Sequence, residues 1–440
     1  MNFFTHLSSL RIILPVLLGG IFLYGGSMGG TSVEYTKQGA LKGTSTQAMP
    51  IPQATSSTAL PPGEIEMIVT HIETPVPLKV AYMTSCIASG KKLRAPLTRL
   101  VEQTELNSLV IDIKDFSGYV SIDFNDPRFV LNTKGCTIPD IKEYIAELHG
   151  KNIYVIGRVT VMQDSVYTKS HPDAAVKRKS DGATWKDKKG LAFVDPGASE
   201  YWQYMVDLGK ASYALGFDEI NYDYIRYPSD GDMSNAKFTR SGSSTKAAVM
   251  KRFYKHLAEG MHGSGIPISA DLFGMTATNY DDLGIGQILE DALLYFDYVA
   301  PMVYPSHYPP NFNGWKDPNM VPYGIIHFSM SKAVARANLL EQKESGWTPP
   351  AVSTSTASTT TSAAAKFIPT GIYAKKLRPW IQDFSYGKVY TEADVRAQKK
   401  AVYDSGLTSW MAWDPKNIYT KSAYDTEIAS HITIAPTPTP

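Results

Sequence analysis

Along this chain, short apolar runs rich in β-branched and aromatic residues alternate with longer stretches whose apolar positions recur every three or four residues. The first pattern suits buried strands and the second amphipathic helices. Strands are predicted over residues 80–85, 108–115, 153–161, 217–224, 267–273, 296–304, 377–384 and 408–413, and helices over 93–105, 139–149, 200–215, 246–260, 285–294 and 329–343. Eight strands with helical connections predict a closed α/β structure, the (β/α)8 TIM barrel, because short right-handed crossovers make closure the economical topology. An open doubly wound sheet competes with it, but no GxGxxG turn follows an early strand. Only 417–430 is left for an eighth helix, so that closing element is expected to be irregular.

The fourth strand carries an unusual pattern. In FDEINYDYIRYP (217–228), alternation points Ile220, Tyr222 and Tyr224 one way and Glu219, Asn221 and Asp223 the other. A buried parallel strand is ordinarily apolar on both faces, so a column of ionisable residues needs partners or a function. Barrel active sites lie at the carboxy-terminal ends of the strands. Asp223 ends the fourth strand, and Asp271 lies near the end of the fifth, where outward Ala270 and Leu272 leave it facing inward. These two carboxyls are the expected catalytic pair.

The ends of the chain have a different composition. Residues 12–30 contain no charge and follow the lone Arg11, which predicts a signal peptide or membrane anchor over 1–30. Residues 31–75 are dominated by Thr, Ser, Pro, Gly and Gln and read as a disordered linker. The barrel domain is expected over 76–430, with a low-complexity insertion at 347–370 on the face opposite the active site and a disordered tail at 431–440. The protein is therefore expected to be exported, either anchored in the membrane facing the exterior or secreted. Cys86 and Cys136 are compatible with one disulfide in an oxidising compartment.

Composition narrows the chemistry. A hydrophobic share of 43% and a charged share of 19% are those of a globular protein, and a net charge of +1 gives no electrostatic case for nucleic acid. No CxxC, HExxH, GxSxG or Walker-type pattern occurs, so no metal site and no cofactor are expected.

Six motifs in order carry a resemblance: VIDIKDFSGYV (110–120), IGRVTVMQD (156–164), FDEINYDYIRYP (217–228), SADLFG (269–274), YVAPMVYPSHY (298–308) and RPWIQDF (378–384). The region from about 79 to 414 resembles the bacterial family of glycoside hydrolases with a TIM-barrel domain, distantly similar to the α-amylase-like barrels. The resemblance implies a barrel that cleaves a polysaccharide or oligosaccharide, with Asp223 as nucleophile and Asp271 as acid. An aspartate replaces the glutamate usual on the fifth strand, which leaves stereochemistry open. A catalytically silent carbohydrate-binding barrel at the cell surface is the alternative, since fold alone does not guarantee chemistry.

Substrate-binding candidates follow from strand-end positions. Asp112 and Lys114 share a face of the second strand, where they either pair with each other or meet sugar hydroxyls. Glu219, one layer deeper, is expected to pair with Arg158. Arg226 is expected either to hold Asp223 ionised or to pair with Asp230. Tyr304 and His307 follow the sixth strand, and Gln382 faces inward on the seventh with Trp380, leaving Asp383 as a third acid. Trp185 and Trp413 could stack on sugar rings.

Overall fold

Each predicted apolar run forms a strand: β1 (Lys79–Met83), β2 (Ser108–Lys114), β3 (Tyr154–Thr160), β4 (Glu219–Asp223), β5 (Ile268–Phe273), β6 (Tyr298–Met302), β7 (Trp380–Gln382) and β8 (Trp410–Trp413). All run parallel, and β1 pairs with β8 at Lys79 and Trp410, which closes the barrel. The computed structural model describes residues 68–348 and 366–424. The expected signal or anchor segment, most of the linker, most of the insertion and the tail lie outside the described residues.

Alternation along the strands separates two cores. Ala81, Ile111, Val155, Ile220, Tyr222, Ala270, Leu272 and Ile381 belong to the outer core shared with the helices. Val80, Tyr82, Val110, Ile156, Ala300, Trp380 and Met411 fill the barrel interior. The period of two thus fixes which side chains meet inside.

Helices α1 (Lys91–Gln103), α2 (Ile141–Gly150), α3 (Ser199–Tyr213), α4 (Lys246–His262), α5 (Leu289–Tyr295) and α6 (Pro322–Glu344) occupy the predicted stretches, with shifted ends. A further helix, α7 (Glu392–Asp404), escapes the pattern because Gln398 and Lys399 interrupt its buried face. Its signal is the capping box of Thr391 and Asp394, each side chain bonding the other's backbone. Of the closing element, a short 3₁₀ turn at Lys421–Ala423 is described.

The seams of the barrel explain how it tolerates interruption. Glu341 near the end of α6 accepts bonds from the backbone N–H groups of Thr370, Gly371 and Ile372 at 2.6, 2.9 and 3.1 Å. Trp347 and Phe367 meet with ring centroids 5.9 Å apart, so the two ends of the insertion are held together. At the other end of the domain, Ile72 donates to Asp218 and His71 stacks on Tyr213, so contact with the barrel begins ahead of residue 76. Cys86 and Cys136 form a disulfide between the segment after β1 and the one after β2.

Candidate active site

The end of β4 is shaped to present Asp223. Tyr224 takes a left-handed conformation, φ 53°, which turns its N–H back to donate to Asp223 Oδ1 at 2.6 Å. A bulky residue rarely adopts this region, and such strain gathers at functional sites. Asp223 Oδ2 accepts from Arg158 Nη2 at 2.5 Å.

Tyr222 of β4 pairs with Ala270 of β5, so the next position sets Asp223 beside Asp271. Adjacent strands lie about 4.8 Å apart, and both side chains face inward. Asp271 Oδ1 accepts from Trp380 Nε1 at 2.8 Å and Asn221 Nδ2 at 3.0 Å, whereas Oδ2 has no partner among the described residues. Burial, and next the charge of Asp223, push its carboxyl well above the usual carboxylate range, against the opposing effect of Arg158. One acid is thus held by a guanidinium while burial and that acid's charge raise the proton affinity of its neighbour.

Asp112 completes the ionic cluster. Its Oδ1 accepts from Arg158 Nη1 at 2.7 Å and its Oδ2 from the Tyr82 hydroxyl at 2.8 Å. Burial pushes its pKa up to about 7 although the Arg158 charge pulls the other way. Arg158 therefore bridges two carboxylates, one on β2 and one on β4.

Several expectations need correction. Lys114 does not pair with Asp112: the register shifts between those two residues, and the ammonium meets Asp164 at 2.9 Å and the Thr160 carbonyl at 2.7 Å with no exposure. Glu219 lies near Arg378, at 3.5 Å, rather than Arg158. Arg226 neither grips Asp223 nor pairs with Asp230; it donates to the Tyr227 carbonyl at 3.0 Å and lies over the rings of Tyr224 and Phe273, while Asp230 meets Lys188. Asp383 accepts from Thr420 N, Thr420 Oγ1 and the Tyr424 hydroxyl, at 2.8, 2.7 and 2.8 Å, so it fastens the closing turn instead of serving as a third acid. Burial pushes it up to about 6.

The aromatic candidates divide. Trp185 is buried against Phe193 and donates to the Asp232 carbonyl, inside the long excursion after β3. Tyr304, Phe384 and Trp413 instead form one cluster, with centroids 4.8 Å apart for Tyr304 and Trp413 and 4.9 Å for Phe384 and Trp413. Tyr304 also meets Trp380, the residue that donates to Asp271. His307 joins the cluster edge-on to Tyr304 and Phe384, and burial lowers its pKa to about 4, so the ring is neutral. Gln382 is inward as predicted, but its Oε1 accepts from Ser306 N and Oγ, so it positions the loop carrying His307. Tyr82, Asn221 and Trp380 complete the hydrogen-bonded surroundings of the acids. The inward parity of Trp380 and Asn221 is legible in the sequence; their bonds to Asp271 are not.

The acids are more enclosed than an open cleft would make them, at 6% exposure for Asp223 and 1% for Asp271. Cavities of about 230 Å³ beside Tyr167 and Tyr204 and about 520 Å³ beside Trp185 include neither acid in their linings. Among the described residues, no group of three or more His, Cys, Asp or Glu is placed to hold a metal ion.

The sequence profile of a family described as "Putative glycosyl hydrolase domain" matches residues 80–350 and 348–419, nearly the whole barrel. The chain belongs to this glycosyl hydrolase family. Membership makes the protein a glycoside hydrolase by class. No curated protein gives a match. Among solved structures, the PgaB (BpsB) glycoside hydrolase domain from Bordetella bronchiseptica is 12% identical, with a TM-score of 0.52 over 80% of this chain and 100% of its own, a likeness of fold. A hypothetical protein from Ruminiclostridium thermocellum ATCC 27405 is 29% identical over 46% of this chain and 98% of its own, with a TM-score of 0.39. A chitinase from Chromobacterium violaceum ATCC 12472 is 13% identical over 79% of this chain and 96% of its own, with a TM-score of 0.44.

Proposed function

We propose that this glycoside hydrolase cleaves a polysaccharide or oligosaccharide outside the cytoplasm with Asp223 and Asp271 as its two carboxyls. The observation that carries the reading is the unequal state of two neighbouring acids on β4 and β5. Asp223 is bound to a guanidinium, and Asp271 is buried with one oxygen unpartnered among the described residues and its proton affinity raised. Glycoside hydrolysis needs that asymmetry, one carboxyl protonating the leaving oxygen and one attacking the sugar or activating water. Asp223 takes the second role and Asp271 the first.

Tyr304 and Phe384 are buried and back the partly exposed ring of Trp413, the member of the cluster on which a sugar ring can stack, and Gln382 orders the loop beside it. Because both acids are enclosed, substrate entry requires the groups around them to move. Enclosure is also the observation that favours the second reading, a silent carbohydrate-binding barrel.

Export is supported by the uncharged run at 12–30, the linker-like composition that follows it and the disulfide, which belongs to an oxidising compartment. We infer that residues 1–30 direct export and either remain as an anchor or are removed. Among the described residues no helix is long and apolar enough to cross a membrane, and the 12–30 run lies outside them.

The roles are tested with aryl glycosides whose leaving groups differ in basicity. Asp271→Asn should lose little activity on an activated leaving group and at least about 100-fold on a poor one, because only the latter needs a proton. An equal loss on both would remove Asp271 from the acid role.

A further inference from the structure

One buried acid of the cluster takes no part in that chemistry. Asp112 sits on β2, across β3 from Asp223, and register pairs it directly with Arg158. It is 2% exposed, and its side-chain bonds go to protein groups: Arg158 Nη1 on Oδ1 and the Tyr82 hydroxyl on Oδ2. Sugar hydroxyls therefore have little access to it. A guanidinium is a planar fork whose two ends are fixed relative to each other, so whatever holds Nη1 also aims Nη2. Here Nη2 is the end that meets Asp223.

We propose that Asp112 is a positioning residue which, fixed by the Tyr82 hydroxyl, clamps the far end of the Arg158 guanidinium and thereby sets the orientation and charge that Arg158 presents to Asp223. The proposal rests on the assignment of Asp223 and Asp271 as the reacting pair. The clamp works in three steps: Tyr82 on β1 orients Asp112 on β2, Asp112 orients Arg158 on β3, and Arg158 orients Asp223 on β4. Each link crosses one strand boundary of the closed barrel. Ion pairs buried this completely need their remaining lone pairs satisfied, which is the office of Tyr82.

The arrangement also makes the clamp responsive to pH. The charged and titratable groups facing Asp112 are Arg158, which favours its ionised form, and Tyr82 and Asp115, the latter raising its proton affinity. Tyr82 itself stays protonated, raised by burial and by Asp112. With Asp112 titrating at about 7, a carboxylate offsets the Arg158 charge above neutrality, and below it the protonated Asp112 keeps only a neutral hydrogen bond to Nη1.

The test compares Asp112→Asn, Asp112→Ala and Tyr82→Phe with the parent protein. Asparagine keeps an oxygen for Arg158 Nη1 but removes the charge, and alanine removes both. On a cleaved glycan, kcat should fall about 10-fold in Asp112→Asn and about 100-fold in Asp112→Ala, with KM within about 3-fold of the parent. Tyr82→Phe should fall between the parent and Asp112→Asn. An ionisation near pH 7 in the kcat/KM profile of the parent should vanish in Asp112→Asn. A rise in KM matching the loss in kcat would make Asp112 a sugar ligand and overturn the proposal, as would unchanged kinetics in Asp112→Ala.

A second measurement needs no turnover. In ¹³C-carboxyl-aspartate-labelled protein, Asp112→Asn should lose one resonance titrating at about 7 and shift the Asp271 titration downward by about one pH unit, since Arg158 then lies beside one anion fewer. No shift of Asp271 would overturn the clamp. If the parent cleaves no glycan, the hydrolase reading fails while this titration still decides the clamp.

Discussion

Replacing Asp271 with asparagine should make the protein more stable at neutral pH, even as it removes the general acid. The side chain is 1% exposed and its folded carboxyl is held well above the usual range, chiefly by burial. An unfolded aspartate ionises near pH 3.9. Below that value both states carry the proton and the group has no effect on the pH dependence of folding. As pH rises, the unfolded chain releases its proton and the folded one does not, so stability falls by about 1.4 kcal/mol per pH unit until the folded pKa is reached. The loss accumulates over the whole interval between the unfolded value and the raised folded one. An asparagine side chain does not ionise in this range, so the variant escapes that loss. Asparagine keeps the oxygen that accepts from Trp380 and Asn221 but places an amide where Oδ2 has no partner among the described residues, a cost of about 1 to 3 kcal/mol at any pH. Urea unfolding of parent and variant at pH 4 and pH 7 separates the two effects. The variant should gain stability relative to the parent as pH rises from 4 toward 7, by about 1.4 kcal/mol per unit until the folded carboxyl ionises, whatever its offset at pH 4. A difference independent of pH would show that Asp271 ionises normally and would refute the argument for its proton.

Other outcomes follow from the same structure. Lys114→Met should destabilise by about 3 to 5 kcal/mol, because it strands the buried Asp164 charge, while glycan affinity of the folded protein stays unchanged, as read by calorimetry and equilibrium binding. Replacing residues 353–365 with a short Gly-Ser link should leave the thermal midpoint within about 2 °C, because Glu341 and the Trp347–Phe367 contact already hold the two ends together. A drop of about 10 °C would mean that the segment packs. Cys86→Ser should cost about 4 kcal/mol of stability under oxidising conditions and nothing under reducing ones, as expected for a link with a sequence separation of 50.

The barrel is legible because its strands are short, apolar and regularly spaced, and because alternation along each one is unambiguous. Ala270 and Leu272 face the helices, so Asp271 has to face inward; Tyr222 does the same for Asp223. The partners of those acids depend on something alternation does not record, the register between strands. Parity alone assigns Arg158 to Glu219, but its register brings it opposite Asp112 and leaves Glu219 to Arg378. Lys114 shares the parity of Asp112, yet the irregularity between them sends its ammonium to Asp164. Arg226 is close to Asp223 in sequence, but the left-handed turn at Tyr224 redirects the chain and Arg226 settles over two rings. Asp383 reads as a free strand-end acid because its partners, Thr420 and Tyr424, lie in a closing segment without hydrophobic periodicity.

The central claim is that Asp223 and Asp271 together cleave a glycosidic bond. The most direct measurement is release of new reducing ends from a panel of polysaccharides by the parent and by Asp223→Asn, with glycan binding measured on both. The account predicts cleavage of at least one glycan by the parent, a loss of at least about 1,000-fold in Asp223→Asn, and glycan affinity of the variant within a few-fold of the parent. Binding by both proteins with no reducing end released by the parent would contradict it and identify a silent carbohydrate-binding barrel.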